Sequence, residues 1–153
     1  PENDMKAIAT YFAALSQPTA DETANRNVAR NAAAATALAQ GTVPEPTGDP
    51  AIDHGAEVFV ARCANCHRSG SETVPLALVS AVTGPEPENF LHVVLYGVSP
   101  TENAYFVRPM PGFSQLPAED IADLAAFVRH QFTDGPLWPD VGQLVDTVLS
   151  RPH

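Results

Sequence analysis

Proline and glycine residues divide this chain into short segments. Its 153 residues include 15 prolines and nine glycines, and both residue types end or interrupt regular structure. Between them, apolar residues recur at the three- and four-residue spacing of helices, whereas no useful length of sequence alternates as a half-buried strand does. The sequence therefore predicts an all-α protein made of short helices.

The predicted helix boundaries follow from capping residues. Asp49 and Pro50 are typical of an N-cap and a first helical residue, and Gly41 and Gly97 stand where helices end. An irregular loop is expected over residues 98–116. The last predicted helix is amphipathic, and docking on the core is favoured over a partner or a lipid surface. Helices are predicted over residues 4–16, 22–40, 50–62, 76–80, 87–96, 117–132 and 141–149.

An excess of acidic side chains restricts the function. The chain has 18 acidic and eight basic residues, a formal net charge of −10. Nucleic-acid binding and polybasic membrane anchoring both need a basic face, and no apolar run approaches the ~20 residues of a membrane span. We expect no nucleic-acid partner and no transmembrane segment in this chain. A start at Pro1 without a signal-peptide pattern suggests a mature or excised piece.

The segment Cys63-Ala64-Asn65-Cys66-His67 carries the clearest chemistry. Two thiols three positions apart can add across the two vinyl groups of haem, and the adjacent imidazole then reaches the iron. A zinc site would need two more ligands, and there is no second cysteine pair. A thioredoxin-like dithiol would need a βαβ context. The sequence favours one covalently attached haem c over both alternatives.

On this motif, and on Gly55, Phe59 and Cys63 at intervals of four, the chain resembles the class I c-type cytochromes over about residues 49–132. The resemblance implies a fold in which the N- and C-terminal helices of the domain cross around a covalently bound haem. Gly55 would allow the close crossing, and Phe59 would pack into it.

The same resemblance implies further site residues. Met110, the only methionine in the haem domain, falls where the family has its axial ligand, which gives the iron a second protein ligand besides His67. The carbonyl of Pro75, before Leu76, would bond the other nitrogen of His67. Tyr96, Tyr105 and Arg108 are candidates for hydrogen bonds to the haem propionates, although a plain surface position explains each equally well. Three other histidines are expected on helix surfaces or ends: His54, His92 and His130.

A six-coordinate haem favours electron transfer, so the chain is expected to be an electron-transfer domain and not itself an enzyme. Two alternatives stay open. One is a free soluble shuttle cytochrome, and the other is a haem-based sensor or enzyme whose methionine is displaced by a small ligand. Haem attachment of this type normally takes place outside the cytoplasm, which implies the periplasm.

The chain also repeats itself, because residues 1–12 align with residues 117–128 in their Pro, Asp, Ala and apolar positions. Two capped helices can look alike by chance, or residues 1–17 are the last helix of a preceding haem c domain. The second reading gives four parts. They are the helix at 1–17, an Ala-rich helix and Pro-rich linker at 18–50, the haem c domain at 51–133, and an extension with a short amphipathic helix at 134–153.

Three segments, residues 89–97, 110–113 and 121–129, are similar to cytochrome subunits of bacterial membrane-associated dehydrogenases, which carry up to three haem c domains. This resemblance implies three partners: an upstream haem c domain, a dehydrogenase catalytic subunit, and quinone or an oxidase as acceptor. It also implies association with the membrane through the parent complex.

Overall fold

The computed structural model describes residues 2–15, 28–68, 73, 75–99 and 109–150, and it divides the chain into two compact units, Pro1–Arg30 and Asn31–His153. In these ranges the regular elements are helices, and one isolated bridge pairs Val98 with Met110. The all-α prediction is confirmed there. The elements are α1 (Glu2–Leu15), α2 (Val28–Ala39), α3 (Pro50–Arg62), α4 (Ala64–His67), a 3₁₀ turn (Leu76–Leu78), α5 (Ser80–Thr83), α6 (Glu88–Tyr96), α7 (Ala118–Phe132) and α8 (Val141–Leu149).

Helix α3 begins where the sequence predicts. The Asp49 side chain accepts hydrogen bonds from the backbone N–H of Ala51 and of Ile52, at 3.0 and 3.5 Å, and Pro50 is the first helical residue. The Asp53 carboxylate accepts from the backbone N–H of Thr47 at 2.6 Å. The pKa of Asp53 is lowered, chiefly by that backbone hydrogen bond. The end of the predicted linker is therefore attached to the first turn of the helix.

Helices α3 and α7 cross in direct backbone contact at Gly55. A Cβ atom on Gly55 would lie 2.0 Å from the carbonyl oxygen of Asp123 and 2.8 Å from Cβ of Phe127. Beside this point Phe59 is 1% exposed, and its ring centroid lies 5.3 Å from that of Phe127 and 5.7 Å from that of Phe132. The expected roles of Gly55 and Phe59 in the crossing are confirmed.

The C-terminal extension packs on the core, as predicted for its amphipathic helix. Val141, Val145 and Val148 of α8 are buried in the same hydrophobic cluster as the crossing helices. The hydroxyl of Tyr96, at the end of α6, donates a hydrogen bond to the carbonyl of Val148 at 3.0 Å. Trp138 is buried against Phe90, with ring centroids 5.4 Å apart.

A buried arginine connects this extension to the rest of the fold. Arg129 is 2% exposed, and its guanidinium donates to the carbonyls of Val82, Gly84 and Pro136 at 2.9–3.1 Å. Its terminal carbon also lies 4.5 Å from the ring centre of Trp138. A guanidinium stays charged in proteins, so burial requires such acceptors. The side chain joins α5, α7 and the extension.

The two N-terminal helices differ in burial. Helix α2 ends at Gly41, whose φ is +72°, with bonds from Gly41 N to Leu38 O and from Thr42 N to Ala37 O at 3.1 and 2.9 Å. This is the glycine-terminated end expected from the sequence, and Leu38 reaches the core at 2% exposure. In α1, by contrast, Met5 and Ile8 are 72% and 58% exposed. No helix within the described ranges combines the length and the apolar character needed to cross a membrane.

The close crossing of α3 and α7 can be tested by its effect on stability. Gly55→Ala places a methyl group against the backbone of α7, so the helices must separate, and we expect the free energy of unfolding to fall by about 3 kcal/mol. Urea denaturation of the haem-loaded protein measures it. Gly142→Ala is the matched control, because a Cβ there has no atom within 4 Å, and it should leave stability unchanged or slightly higher. Equal effects of the two substitutions would contradict the close crossing.

Candidate functional site

The Cys-x-x-Cys-His motif forms one tight turn at the end of α3. Cys63 closes α3, donating its N–H to the carbonyl of Phe59 at 2.7 Å, and its own carbonyl accepts from the N–H groups of Cys66 and His67 at 3.1 and 2.9 Å. Ala64, inside the turn, is buried at 3% exposure. Both thiols and the imidazole are therefore carried on a short backbone segment fixed to a core helix.

The thiols and the imidazole of this turn differ in environment. Cys63 is partly buried and Cys66 is exposed, and neither forms a disulfide. Burial, with a smaller effect of Cys66, raises the pKa of Cys63 to about 12. Burial also lowers the pKa of His67, so its imidazole is neutral at pH 7 and keeps a lone pair for a metal. Among the described residues, the buried Nδ1 of His67 has no hydrogen-bond partner.

The hydrogen bond from His67 to the carbonyl of Pro75 stays a prediction, since none is present between them in the described structure. The Pro75 carbonyl accepts from the N–H of Leu78 at 2.9 Å and so begins the 3₁₀ turn. Leu76 packs partly buried against the core. A contact that the sequence analysis missed lies nearby, since the hydroxyl of Thr73 donates to the carbonyl of Cys66 at 2.7 Å. No local signal in the sequence points to this contact, because it spans seven residues, beyond the three- and four-residue bonds that a threonine hydroxyl commonly makes.

Met110 is partly buried against the same hydrophobic core as Cys63 and Leu76. Its backbone is paired with Val98, with N–O distances of 2.9 and 3.0 Å, and Phe113 N bonds to Val94 O of α6 at 2.9 Å. The sequence predicts only an irregular loop here. A single bridge between residues 12 positions apart has no alternating pattern to reveal it.

The remaining candidates divide into two groups. Tyr105 and Arg108 lie outside the described residues, so their proposed bonds to propionates remain predictions. His54 forms an ion pair on the surface, with its Nδ1 2.8 Å from Oδ2 of Asp123, and the ring of His92 lies against Tyr96 with centroids 5.6 Å apart.

For the zinc alternative, no group of three or more His, Cys, Asp or Glu side chains in the described part of the chain is arranged to hold a metal ion.

Comparison with known proteins places this site in a family. The family model described as cytochrome C oxidase, cbb3-type, subunit III matches residues 50–128, which run from α3 through most of α7. The chain belongs to the cytochrome c family. The domain is thus an electron-transfer domain with the helical fold of class I cytochromes c, and the family implies a covalently bound haem c. The free thiols of Cys63 and Cys66 and the neutral, partly buried imidazole of His67 fit that group.

Relatives of this cytochrome c domain include both large and small proteins. It is 30% identical to a nicotinate dehydrogenase subunit of Pseudomonas putida over 99% of this chain and 12% of that protein. It is 30% identical to the cytochrome c subunit of the quinone alcohol dehydrogenase of Gluconacetobacter polyoxogenes, over 84% of this chain and 27% of that subunit. It is 33% identical to cytochrome c6 of Pyropia tenera over 55% of this chain and 96% of that protein. The chain therefore spans only a minor part of the dehydrogenase subunits it matches.

The ion pair of His54 predicts a pH dependence of stability. Its hydrogen bond to Asp123, helped by the charges of Asp123, Asp120 and Glu57, raises the pKa of His54 in the folded protein. The stabilisation is therefore complete below the unfolded pKa of about 6.5 and is lost as pH rises through the folded value. His54→Gln should cost more stability at about pH 5.5 than at about pH 8.5.

The expected difference is small, because the His54 side chain is 44% exposed and solvent screens the pair. Urea denaturation of wild type and variant at both pH values measures it. Since every other group titrates in both proteins, the difference between them isolates His54. Asp123→Asn, which removes the charged acceptor, should give the same pattern. A cost that does not change with pH would contradict the assignment.

Proposed function

We propose that this domain carries single electrons on one haem c, which would be attached through Cys63 and Cys66 and held at its iron by His67 and Met110. The observation that carries the proposal is the turn at residues 63–67, which holds two free thiols and a partly buried, neutral imidazole on the end of a core helix. Membership of the cytochrome c family supports the covalent attachment. The neutral imidazole supports ligation, because only that form has a free lone pair.

The two proposed ligands come from different supports within one packed core. The haem supplies iron, whose ferric and ferrous states differ by one electron. His67 is held by the turn after α3, and Met110 by a backbone segment bonded to α6. Because both supports are packed, the ligands keep their positions in either oxidation state, which keeps the structural change on electron transfer small. A thioether ligand favours ferrous iron more than a second imidazole does and so raises the potential.

Two protein ligands favour electron transfer over the alternative functions. An enzyme or a sensor that uses oxygen, peroxide or carbon monoxide needs one coordination position of the iron to be open or easily opened. Met110 is flanked by Pro109 and Pro111, which restrict its backbone, and it is paired with Val98 through two hydrogen bonds. This attachment supports a sulfur ligand that is not readily displaced.

Carbon monoxide tests the ligand assignment. We expect the spectrum of the reduced wild-type protein to stay unchanged under carbon monoxide, whereas reduced Met110→Ala should form a carbonyl complex. Met5→Ala is the matched control, since Met5 is the chain's other methionine and is 72% exposed on α1, and it should behave as wild type. A wild-type protein that binds carbon monoxide as readily as Met110→Ala would overturn the assignment and favour the sensor or enzyme.

We further propose that the domain is one step of a relay within a longer multihaem subunit in the periplasm. The repeat aligns Met5 and Ile8 of α1 with Ile121 and Leu124 of α7, which are buried at 0% and 2% exposure. In α1 the equivalent side chains are mostly exposed, as expected of a helix whose own packing partner is a preceding haem c domain. The named relatives support a dehydrogenase catalytic subunit as donor, with quinone or an oxidase as acceptor and the parent complex as membrane attachment.

Haem content tests the relay. The full-length protein that contains this chain should carry more than one haem c, because a preceding domain of about 100 residues would bring its own attachment motif. The pyridine haemochrome assay, compared with protein concentration, gives the number per chain. Residues 1–153 produced alone should give one haem. A ratio of one in the full-length protein would contradict the relay and favour a free shuttle cytochrome.

A further inference from the structure

The end of helix α6 and the segment that carries Met110 are in direct backbone contact through two glycines. A Cβ atom on Gly97 would lie 2.3 Å from the carbonyl oxygen of Met110 and 2.8 Å from the backbone nitrogen of Gly112. A Cβ atom on Gly112 would lie 2.6 Å from the carbonyl oxygen of Leu95 and 2.9 Å from the carbonyl carbon of Tyr96. Because each glycine lacks a Cβ, it leaves room for the backbone segment that carries the other glycine.

Hydrogen bonds hold the two segments at this distance. Gly97 ends α6 with φ of +77° and donates its N–H to the carbonyl of Val93 at 3.0 Å. The next residue, Val98, exchanges two backbone hydrogen bonds with Met110, and the N–H of Phe113 bonds to the carbonyl of Val94. Carbonyls in the last turn of a helix have no partner within the helix. Here one of them, that of Val94, receives its partner from the methionine segment.

We propose that Gly97 and Gly112 are positioning residues that set the distance of the Met110 sulfur from the haem iron. The inference rests on the proposed ligation by Met110. At either glycine the added Cβ would meet backbone atoms well inside 3.0 Å, so the backbone itself must move, by roughly 0.4 Å or more. Metal–ligand distances tolerate only about 0.2 Å. Such a shift is therefore enough to weaken the iron–sulfur bond without unfolding the helices.

The two glycines can be tested by different substitutions. Gly112→Ala adds a Cβ without requiring a positive φ. At Gly97 the backbone, with φ of +77° and ψ of −172°, lies in a region essentially restricted to glycine, so Gly97→Asn adds backbone strain to the contact made by the new Cβ. The chain offers a control for each. Gly41→Asn also places a Cβ at a positive φ, +72°, but with no atom within 4 Å, and Gly142→Ala likewise meets nothing within 4 Å.

The experiment compares the haem-loaded variants by three measurements. The first is the weak long-wavelength absorption band that methionine ligation gives to ferric haem c, the second is carbon monoxide binding by the reduced protein, and the third is the reduction potential. We expect Gly97→Asn and Gly112→Ala to lose the band, to form a carbonyl complex and to have a lower potential. Covalent haem and helix content should be retained. Gly41→Asn and Gly142→Ala should match wild type in all three.

The possible outcomes distinguish this inference from the proposed ligation by Met110, on which it rests. A wild-type protein without the methionine band that binds carbon monoxide would show that Met110 is not the ligand, and the proposed function would fail first. If wild type and both glycine variants all keep the methionine band and fail to bind carbon monoxide, the positioning role is wrong. Loss of covalent haem or of helix content in both variants would assign these glycines to the folding of the whole domain and would also overturn the inference.

Discussion

The contact between the backbones of α3 and α7 at Gly55 is the constraint on which the rest of the structure depends. It fixes the axis of α3, and the ring of Phe59 packs against α7 one turn later. The carbonyl of Phe59 then accepts the N–H of Cys63 at 2.7 Å, so the attachment turn continues directly from the packed part of the helix. Close-packed interiors transmit position with little slack. The position of the turn that carries His67 thus follows from packing at Phe59, two turns earlier in the chain.

Helix α6 supplies the second support. Its last turn and the residues just after it hold the Met110 segment through backbone hydrogen bonds, and the Met110 side chain packs on the same core. In the proposed ligation, His67 would be held by the turn after α3 and Met110 by a segment bonded to α6, and groups fixed to packed elements are held more rigidly than groups on free loops. Such a support would suit an iron whose coordination has to survive each gain and loss of an electron.

Much of this fold could be predicted because the relevant signals are local. The caps at Asp49, Gly41 and Gly97 depend on bonds within a few residues, and the crossing at Gly55 and Phe59 was implied by the resemblance to class I cytochromes c. The rest depends on groups far apart in sequence. Met110 pairs across 12 residues without any alternating pattern, and Arg129 bonds a carbonyl 47 residues away. The expected hydrogen bond from His67 to the carbonyl of Pro75 stays a prediction, since in the described structure that carbonyl accepts from Leu78 and the Nδ1 of His67 has no partner.

The C-terminal extension also supports helix α6. In sequence it lies beyond the haem domain, yet Arg129 ties its first residues to α5 through carbonyl groups and the face of Trp138. Its helix α8 buries Val145 and Val148 and accepts a hydrogen bond from Tyr96, the last residue of α6. The adjacent residue, Gly97, is where the Met110 segment is attached. The extension therefore supports α6 on one side while the methionine segment is bonded to the end of the same helix.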